Sequence, residues 1–234
     1  MFFGGNASEA PFTMFDWQHA AALALLAAAI AFVRLCKNCS PNRKLELTAA
    51  LLLAGLEVWY QLWLFITGRW DIHHALPLEL SNIMVIFTIV LLLTRNQFVF
   101  EVVFMAGIAS AMMAFLTPVL SFGLPHARYF HFFLTHGAII VTGFYFLWLH
   151  RFSLSFRSVW LTLLILNILL PFIWFVNRMT GGNYWFIMDR PDGTSLLDLF
   201  GGQPWHIIGM EVTAAAAFLL LWLIFGDWRK KPPA

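Results

Sequence analysis

The sequence predicts an all-α, polytopic membrane protein of seven transmembrane helices, and three observations carry that expectation. Of its 234 residues 61% are hydrophobic and only 11% charged, with a mean hydropathy of +0.77, a membrane composition and not a soluble one. Apolar runs of the length needed to cross the hydrocarbon, about 20 residues, recur along the whole chain. The few ionisable side chains inside those runs are clustered, which marks a functional site because polar groups in a membrane need partners or water.

The expected helices lie near 17–35, 45–66, 76–93, 99–121, 129–149, 158–177 and 204–226, in one transmembrane domain spanning 1–234. The breaks between them are short except for an outer loop, 178–203, which is too long to be a simple connector. Within it Ser195 to Phe200 alternates enough to lie in the interface as a lid, with Trp185 and Trp205 as headgroup-level anchors. The N-terminus lacks the basic region and small-residue cleavage site of a signal peptide, so the first helix is expected to stay in the mature protein. Cys36 and Cys39, the only cysteines, fall in a basic loop expected on the reducing side of the membrane. A lone C-x-x-C is weak evidence for a metal.

With seven spans, Arg34, Lys37, Arg43, Lys44, Arg95, Arg151, Arg157, Arg229, Lys230 and Lys231 share one side, and Arg69, Arg128, Arg178 and Arg190 the other. That asymmetry places the N-terminus outside and the C-terminus in the cytoplasm. The expected location is the cytoplasmic (plasma) membrane, multi-pass. A net charge of +2, without extended runs of one sign, gives no reason to expect nucleic acid as a partner; membrane lipid is the expected one.

Helix direction then sorts the polar residues by depth. Asp16, His19, Gln61, Glu79, Ser81, Asn82, His131, His136, Asn177, His206 and Glu211 fall towards the outer ends of their helices, and Glu57 about midway. The inner halves offer chiefly Glu101 and Asn167. A polar cavity open to the outer face is expected. Pro118 is placed near the outer end of the fourth helix, and Pro171 inside the sixth, where it frees a carbonyl. Pro77 suits the first turn of the third.

Three chemistries fit such a cluster. Ser81 can act as a nucleophile with His136 as its general base, at matching depths in helices 3 and 5. Asn82, or a carboxylate from helix 2 or 7, is the expected orienter of His136, because Glu79 lies about 200° round the helix from Ser81. Alternatively His73, His74, His131, His136, His206, Glu79 and Glu211 supply ligands for a metal-dependent hydrolase, although His131 and His136 diverge at i, i+5 and no H-E-x-x-H is present. Finally, the same residues can line the path or binding site of a small solute or lipid, in a protein that is not an enzyme. No cofactor is implied.

Leu76-Pro77-Leu78-Glu79-Leu80-Ser81-Asn82 resembles the Leu-Pro-Leu-His/Glu-Leu-Cys-Asp/Asn motif of the YwaF-like bacterial integral membrane proteins. Further matches are Thr117-Pro118, Pro125-His126, His131-Phe132-Phe133 with His136-Gly137, Asn183-Tyr184, Ser195-Leu196-Leu197-Asp198-Leu199 and Pro204-Trp205. That family is similar to a eukaryotic transmembrane acyltransferase that remodels ether phospholipids with a helix cysteine and a histidine. The resemblance implies that Ser81 stands where the cysteine would be and that His136 matches the histidine. It points to a lipid acyltransferase or hydrolase. From the polar cluster, Glu57, Glu79, Asn82, His131, Asn177, Asn183, Tyr184, His206 and Glu211 are the expected binding or supporting residues. Serine is a poorer nucleophile than a thiolate, so a base must activate it.

Overall fold

The computed structural model describes residues 2–190 and 201–227. The Ser195–Phe200 stretch and the Arg229-Lys230-Lys231 triplet lie outside the described residues. Within them the chain is helical, without strands; a single antiparallel bridge joins Pro11 to Phe122.

Most of the long helices start where a polar side chain satisfies orphan backbone N–H groups, a contribution of about 1 kcal/mol each; the third and the last start without a side-chain cap. Asp16 caps α1 (Trp17–Leu35) and Asn42 caps α2 (Arg43–Ile66). α3 (Leu80–Thr94) ends on Arg95 in the left-handed region, φ 52°. Asn96 caps α4 (Gln97–Val102), which passes through a π turn, Val103–Gly107, into α5 (Ile108–Leu116). The His126 ring caps α6 (Ala127–Trp148), and a Ser155/Ser158 capping box opens α7 (Phe156–Thr180). Gly181, at φ 73°, closes α7, and α8 (Trp205–Phe225) follows the long loop after it.

Six of these segments, with α4, the π turn and α5 taken as one, are long and apolar enough to cross a membrane; α3 is a shorter apolar helix of 15 residues. α6 is the most buried span and α8 the least. α6 packs against α1, α2, α3 and the π turn with α5, while α7 and α8 pair at the periphery. Their common core is aromatic and aliphatic, built on Phe100, Phe104, Phe115, Phe146, Met84 and Ile139.

Two expected helices are shorter than the hydropathy suggested. The third starts at Leu80 and not near 76, so Pro77 sits in a turn before it and not in its first turn. The cause is tertiary: Tyr184 Oη accepts from Leu76 N–H (3.0 Å) and Trp185 Nε1 donates to the Leu78 carbonyl (2.7 Å). These bonds hold backbone that would otherwise enter the helical ladder. The fourth ends at Leu116 and not at 121, because a residue preceding proline is pushed out of the α region; Thr117, before Pro118, has φ −132° and ψ 69°. Pro118 therefore lies beyond that helix. Pro171 stays inside α7, where the carbonyl four residues back, that of Asn167, loses its donor.

A polar clasp gathers three helix ends at the end of the bundle opposite Ser81. Glu46 is buried, and its carboxylate accepts from Arg95 Nε (2.7 Å), Arg43 Nη1 (3.3 Å), Tyr145 Oη (3.0 Å) and His150 Nε2 (2.7 Å). Arg43 also donates to the Leu92 and Leu93 carbonyls, closing the end of α3. Glu46 thus joins Glu101 and Asn167, which the sequence offered as the chief polar groups of those helix halves. The clasp joins the start of α2 to the ends of α3 and α6, so α3 and α6 run parallel to each other and antiparallel to α2.

Candidate functional site

Because α3 and α6 are parallel and adjacent, their residues can be compared by depth. Ser81 lies fourteen residues before Arg95, and His136 fourteen before His150; Arg95 and His150 both bond the carboxylate of Glu46. At about 1.5 Å per residue each is therefore roughly 20 Å above the clasp. A second marker agrees. A Cβ on Gly107 would meet Ile139 Cγ2 at 2.9 Å and Met84 Cβ at 3.7 Å, so α3 and α6 both touch the π turn there. Met84 is three residues below Ser81, and Ile139 three below His136.

Ser81 also lies on the inward face of its helix. It shares helical spacing with Met84, Val85, Thr88 and Leu92, all buried, whereas Ile86, Val90 and Leu93 are exposed. Glu79 is the residue just before α3 and makes no cap bond; its Oε2 accepts from the Trp185 N–H at 3.4 Å. The N–H groups of Leu80, Ser81 and Asn82 make no hydrogen bond among the described residues, and the first bonded one is Ile83, to the Glu79 carbonyl. Three free donors at a helix N-terminus, flanking a hydroxyl, form an anion-stabilising arrangement.

His136 is buried, and its Nδ1 lies 2.7 Å from the Phe132 carbonyl oxygen. Since a carbonyl only accepts, Nδ1 carries the hydrogen and Nε2 keeps its lone pair. The orienter of His136 is accordingly its own helix backbone, in place of the expected Asn82 or carboxylate. Among the described residues neither the Ser81 hydroxyl nor the Asn82 amide makes a side-chain hydrogen bond, and Ser81 and His136 are not bonded to each other.

Beside them His131 and Glu57 meet. Arg128 Nη1 donates to His131 Nδ1 (2.9 Å), so the hydrogen sits on Nε2, which faces Glu57 Oε1 at 3.4 Å without hydrogen-bond geometry. Tyr60 stacks on the same imidazole with ring centroids 4.5 Å apart. Two open grooves of about 290 Å³ flank α2; His131 borders one, with Trp59 and Phe130, and Glu57 the other, with Gln61, Pro77 and Ile86.

The remaining predicted residues are placed elsewhere. The Asn177 amide clamps Tyr184 at both N (2.8 Å) and O (2.9 Å), and Tyr184 Oη donates to the Ile72 carbonyl (2.7 Å). Asn183 accepts from Met188 and Asp189 N–H and donates to the Asp189 carbonyl. His206 Nε2 lies 3.2 Å from the Phe186 carbonyl oxygen. These residues fix the 181–190 turn over the 72–80 segment, with Trp185 and Phe186 held at φ 61° and 54°. Trp185 is half-buried against that segment, while Trp205 is exposed. Glu211 pairs with Asn167 (3.0 Å), which is exposed at the α7–α8 edge. No three His, Cys, Asp or Glu side chains converge as a ligand set among the described residues.

Outside the membrane-spanning helices, burial raises the Tyr184 phenol above its usual range. Backbone and side-chain bonds from His73 hold Asp71 below its own.

Sequence reasoning missed the Glu46 clasp and Arg128. Arg128 had a signal, since it stands four residues before Phe132 and eight before His136 on one helix face.

The model of one family, described as the TMEM164 family, matches residues 14–222. No match was found among curated proteins or among solved structures. With nearly its whole length matched, the chain belongs to the TMEM164 family.

Proposed function

We propose that this protein is a lipid acyltransferase or lipid hydrolase in which Ser81 is the nucleophile and His136 its general base. The observation that carries the reading is the equal depth of the two residues on parallel, adjacent helices, with the His136 Nδ1–H tied to Phe132 so that Nε2 is the basic atom. The family membership and the resemblance of the 76–82 motif to that of the YwaF-like proteins, and through them to the eukaryotic ether-phospholipid acyltransferase, support the same chemistry.

In this reading Ser81 Oγ attacks the ester carbonyl of a membrane lipid while its proton passes to His136 Nε2. The N–H groups of Ser81 and Asn82 donate to the oxyanion. His136 then protonates the departing alkoxide, leaving an acyl-serine. An acceptor alcohol, or water in hydrolysis, gives its proton to His136 and attacks the acyl carbonyl, restoring the serine. Transport through the bundle has less support, because the polar groups of the opposite end are already bonded around Glu46.

We also propose seven crossings with the N-terminus outside and residence in the plasma membrane. The length of the bundle covered by α3, from the outer turn at Trp185 to the Glu46 clasp, supports counting it as the seventh. The distribution of Lys and Arg supports the orientation.

The test is lipidomics on cells carrying Ser81→Ala, His136→Ala or both. Residues acting as a unit lose activity to similar extents, with little added by the double change. An unchanged lipid profile in both single variants would exclude the reading.

A further inference from the structure

We propose that the lipid-facing surface of α7 is a contact between two copies of this protein, closed by a reciprocal pair of hydrogen bonds between their Asn167 amides. Asn167 stands near the middle of α7, eleven residues after Phe156 and thirteen before Thr180. Its side chain is exposed there. Among the described residues, the other exposed positions in the middle turns of the membrane-spanning helices are apolar residues, glycine or threonine.

Two bonds tie the amide within its own chain. Nδ2 donates to Glu211 Oε2 of α8 (3.0 Å) and to the Leu163 carbonyl (3.0 Å) one turn back. The second is dispensable, because that carbonyl, four residues before Asn167, is also the helical acceptor of the Asn167 main-chain N–H. Oδ1 accepts no hydrogen bond among the described residues. The main-chain carbonyl of the same residue has lost its helical donor to Pro171. Hydrocarbon offers no water to these oxygens, so an exposed amide at this depth is costly unless another polypeptide covers it.

The covering chain is identified by what an amide pairs with. An amide is its own complement, with a donor and an acceptor side by side. Copies inserted the same way round carry Asn167 at one depth, and a twofold axis along the membrane normal brings amide to amide. Each Asn167 then keeps one N–H on its own Glu211 and turns the other from Leu163 to Oδ1 of the partner's Asn167. Polar side chains placed in this way hold membrane helices together.

The surrounding surface suits helix packing. Trp160, Leu164, Ile168, Phe172 and Phe175 recur every three or four residues, each more than half exposed, and form a ridge beside Asn167. α7 and α8 pair at the periphery of the bundle, and α8 is its least buried span. No described segment of the chain itself covers the ridge.

The test is disulfide trapping in liposomes. Full-length protein with Cys36→Ser and Cys39→Ser carries one new cysteine, either Leu164→Cys beside Asn167 or Leu25→Cys on the exposed face of α1. After oxidation with copper phenanthroline, Leu164→Cys is expected to give a covalent dimer at lipid dilutions where Leu25→Cys stays monomeric. Asn167→Leu, which leaves the surface apolar, is expected to weaken association about tenfold, the effect of two interhelical hydrogen bonds of ordinary strength in a membrane. The readout is energy transfer between copies labelled at the N-terminus, followed across lipid dilution. Asn167→Gln keeps the amide on a longer stem and falls between. The trapping comparison needs no change at Asn167, so it stands if Asn167→Leu does not fold. Equal trapping through both cysteines would show chance collision and overturn the proposal, as would unchanged association of Asn167→Leu. Trapping of Leu164→Cys in native membranes only to a chain of different mass would assign the surface to another protein and overturn it too.

Discussion

His136 Nδ1 lies 2.7 Å from the carbonyl oxygen of Phe132, and that contact decides which end of the imidazole can take a proton from Ser81. With the carbonyl as acceptor the neutral ring carries its hydrogen on Nδ1. Nitrogen NMR on histidine-labelled protein is expected to show His136 protonated at Nδ1 and bare at Nε2. The reverse tautomer would put a hydrogen on the atom proposed as the base.

Gly107 sets the closeness of α6 to the π turn one helical turn below that base. A methyl group there would come 2.9 Å from Ile139 Cγ2, on a buried branched side chain with little room to yield. Gly107→Ala is expected to cost about 1–3 kcal/mol through overpacking, measurable as a lower denaturation midpoint. Activity is expected to fall as well, because the displaced segment carries His136.

The Glu46 clasp ties three helix ends with one buried carboxylate. Removing it by Glu46→Ala leaves Arg95, Tyr145 and His150 without that acceptor, while Arg43 keeps the Leu92 and Leu93 carbonyls. Arg43 and Arg95 keep some access to solvent, with side-chain exposures of 42% and 37%. The loss is therefore expected near the low end of the range for a broken buried pair, about 3 kcal/mol, read by chemical unfolding in detergent.

Acid is expected to loosen the cap on α6. The His126 Nδ1 accepts from Arg128 N–H and Nε2 lies 2.8 Å from the Gly4 carbonyl, which requires a neutral ring. Burial holds its pKa below the ordinary value, although the Gly4 contact opposes this. The unfolded chain takes up this proton near pH 6.5, at about the ordinary histidine value, while the folded chain resists it. Stability is thus constant above about pH 6.5 and declines as the pH falls below it. Comparing melting temperatures at about pH 7.5 and 5.5, His126→Gln, which keeps a donor and an acceptor without titrating, is expected to lose less than the parent.

The long helices were legible from hydropathy, and the first starts where expected, after Asp16; the second begins after its Asn42 cap, at Arg43 and not near 45, and α7 runs on to Thr180 before Gly181 and not to 177. The third helix was misjudged because Leu76 to Glu79 is apolar enough to extend it, yet its backbone is held by Tyr184 and Trp185, over a hundred residues away. Such competition leaves no local trace. Glu46 was overlooked for a related reason, since a carboxylate in a basic helix start reads as solvated until α3 and α6 close on it. His131 and Glu57 were both named from the sequence, but their meeting depends on which faces of α2 and α6 oppose each other. Asn177 and Tyr184 emerged together, as clamps of the turn after α7.

The most direct test of Ser81 as nucleophile is mass-spectrometric detection of a covalent adduct after the purified protein reacts with an alkyl fluorophosphonate. The account predicts a single adduct on Ser81, labelling slowed by about 10²-fold or more in His136→Ala, as befits loss of a general base, and none in Ser81→Ala. Undiminished labelling of the Ser81→Ala protein, with the adduct on another residue, would contradict it.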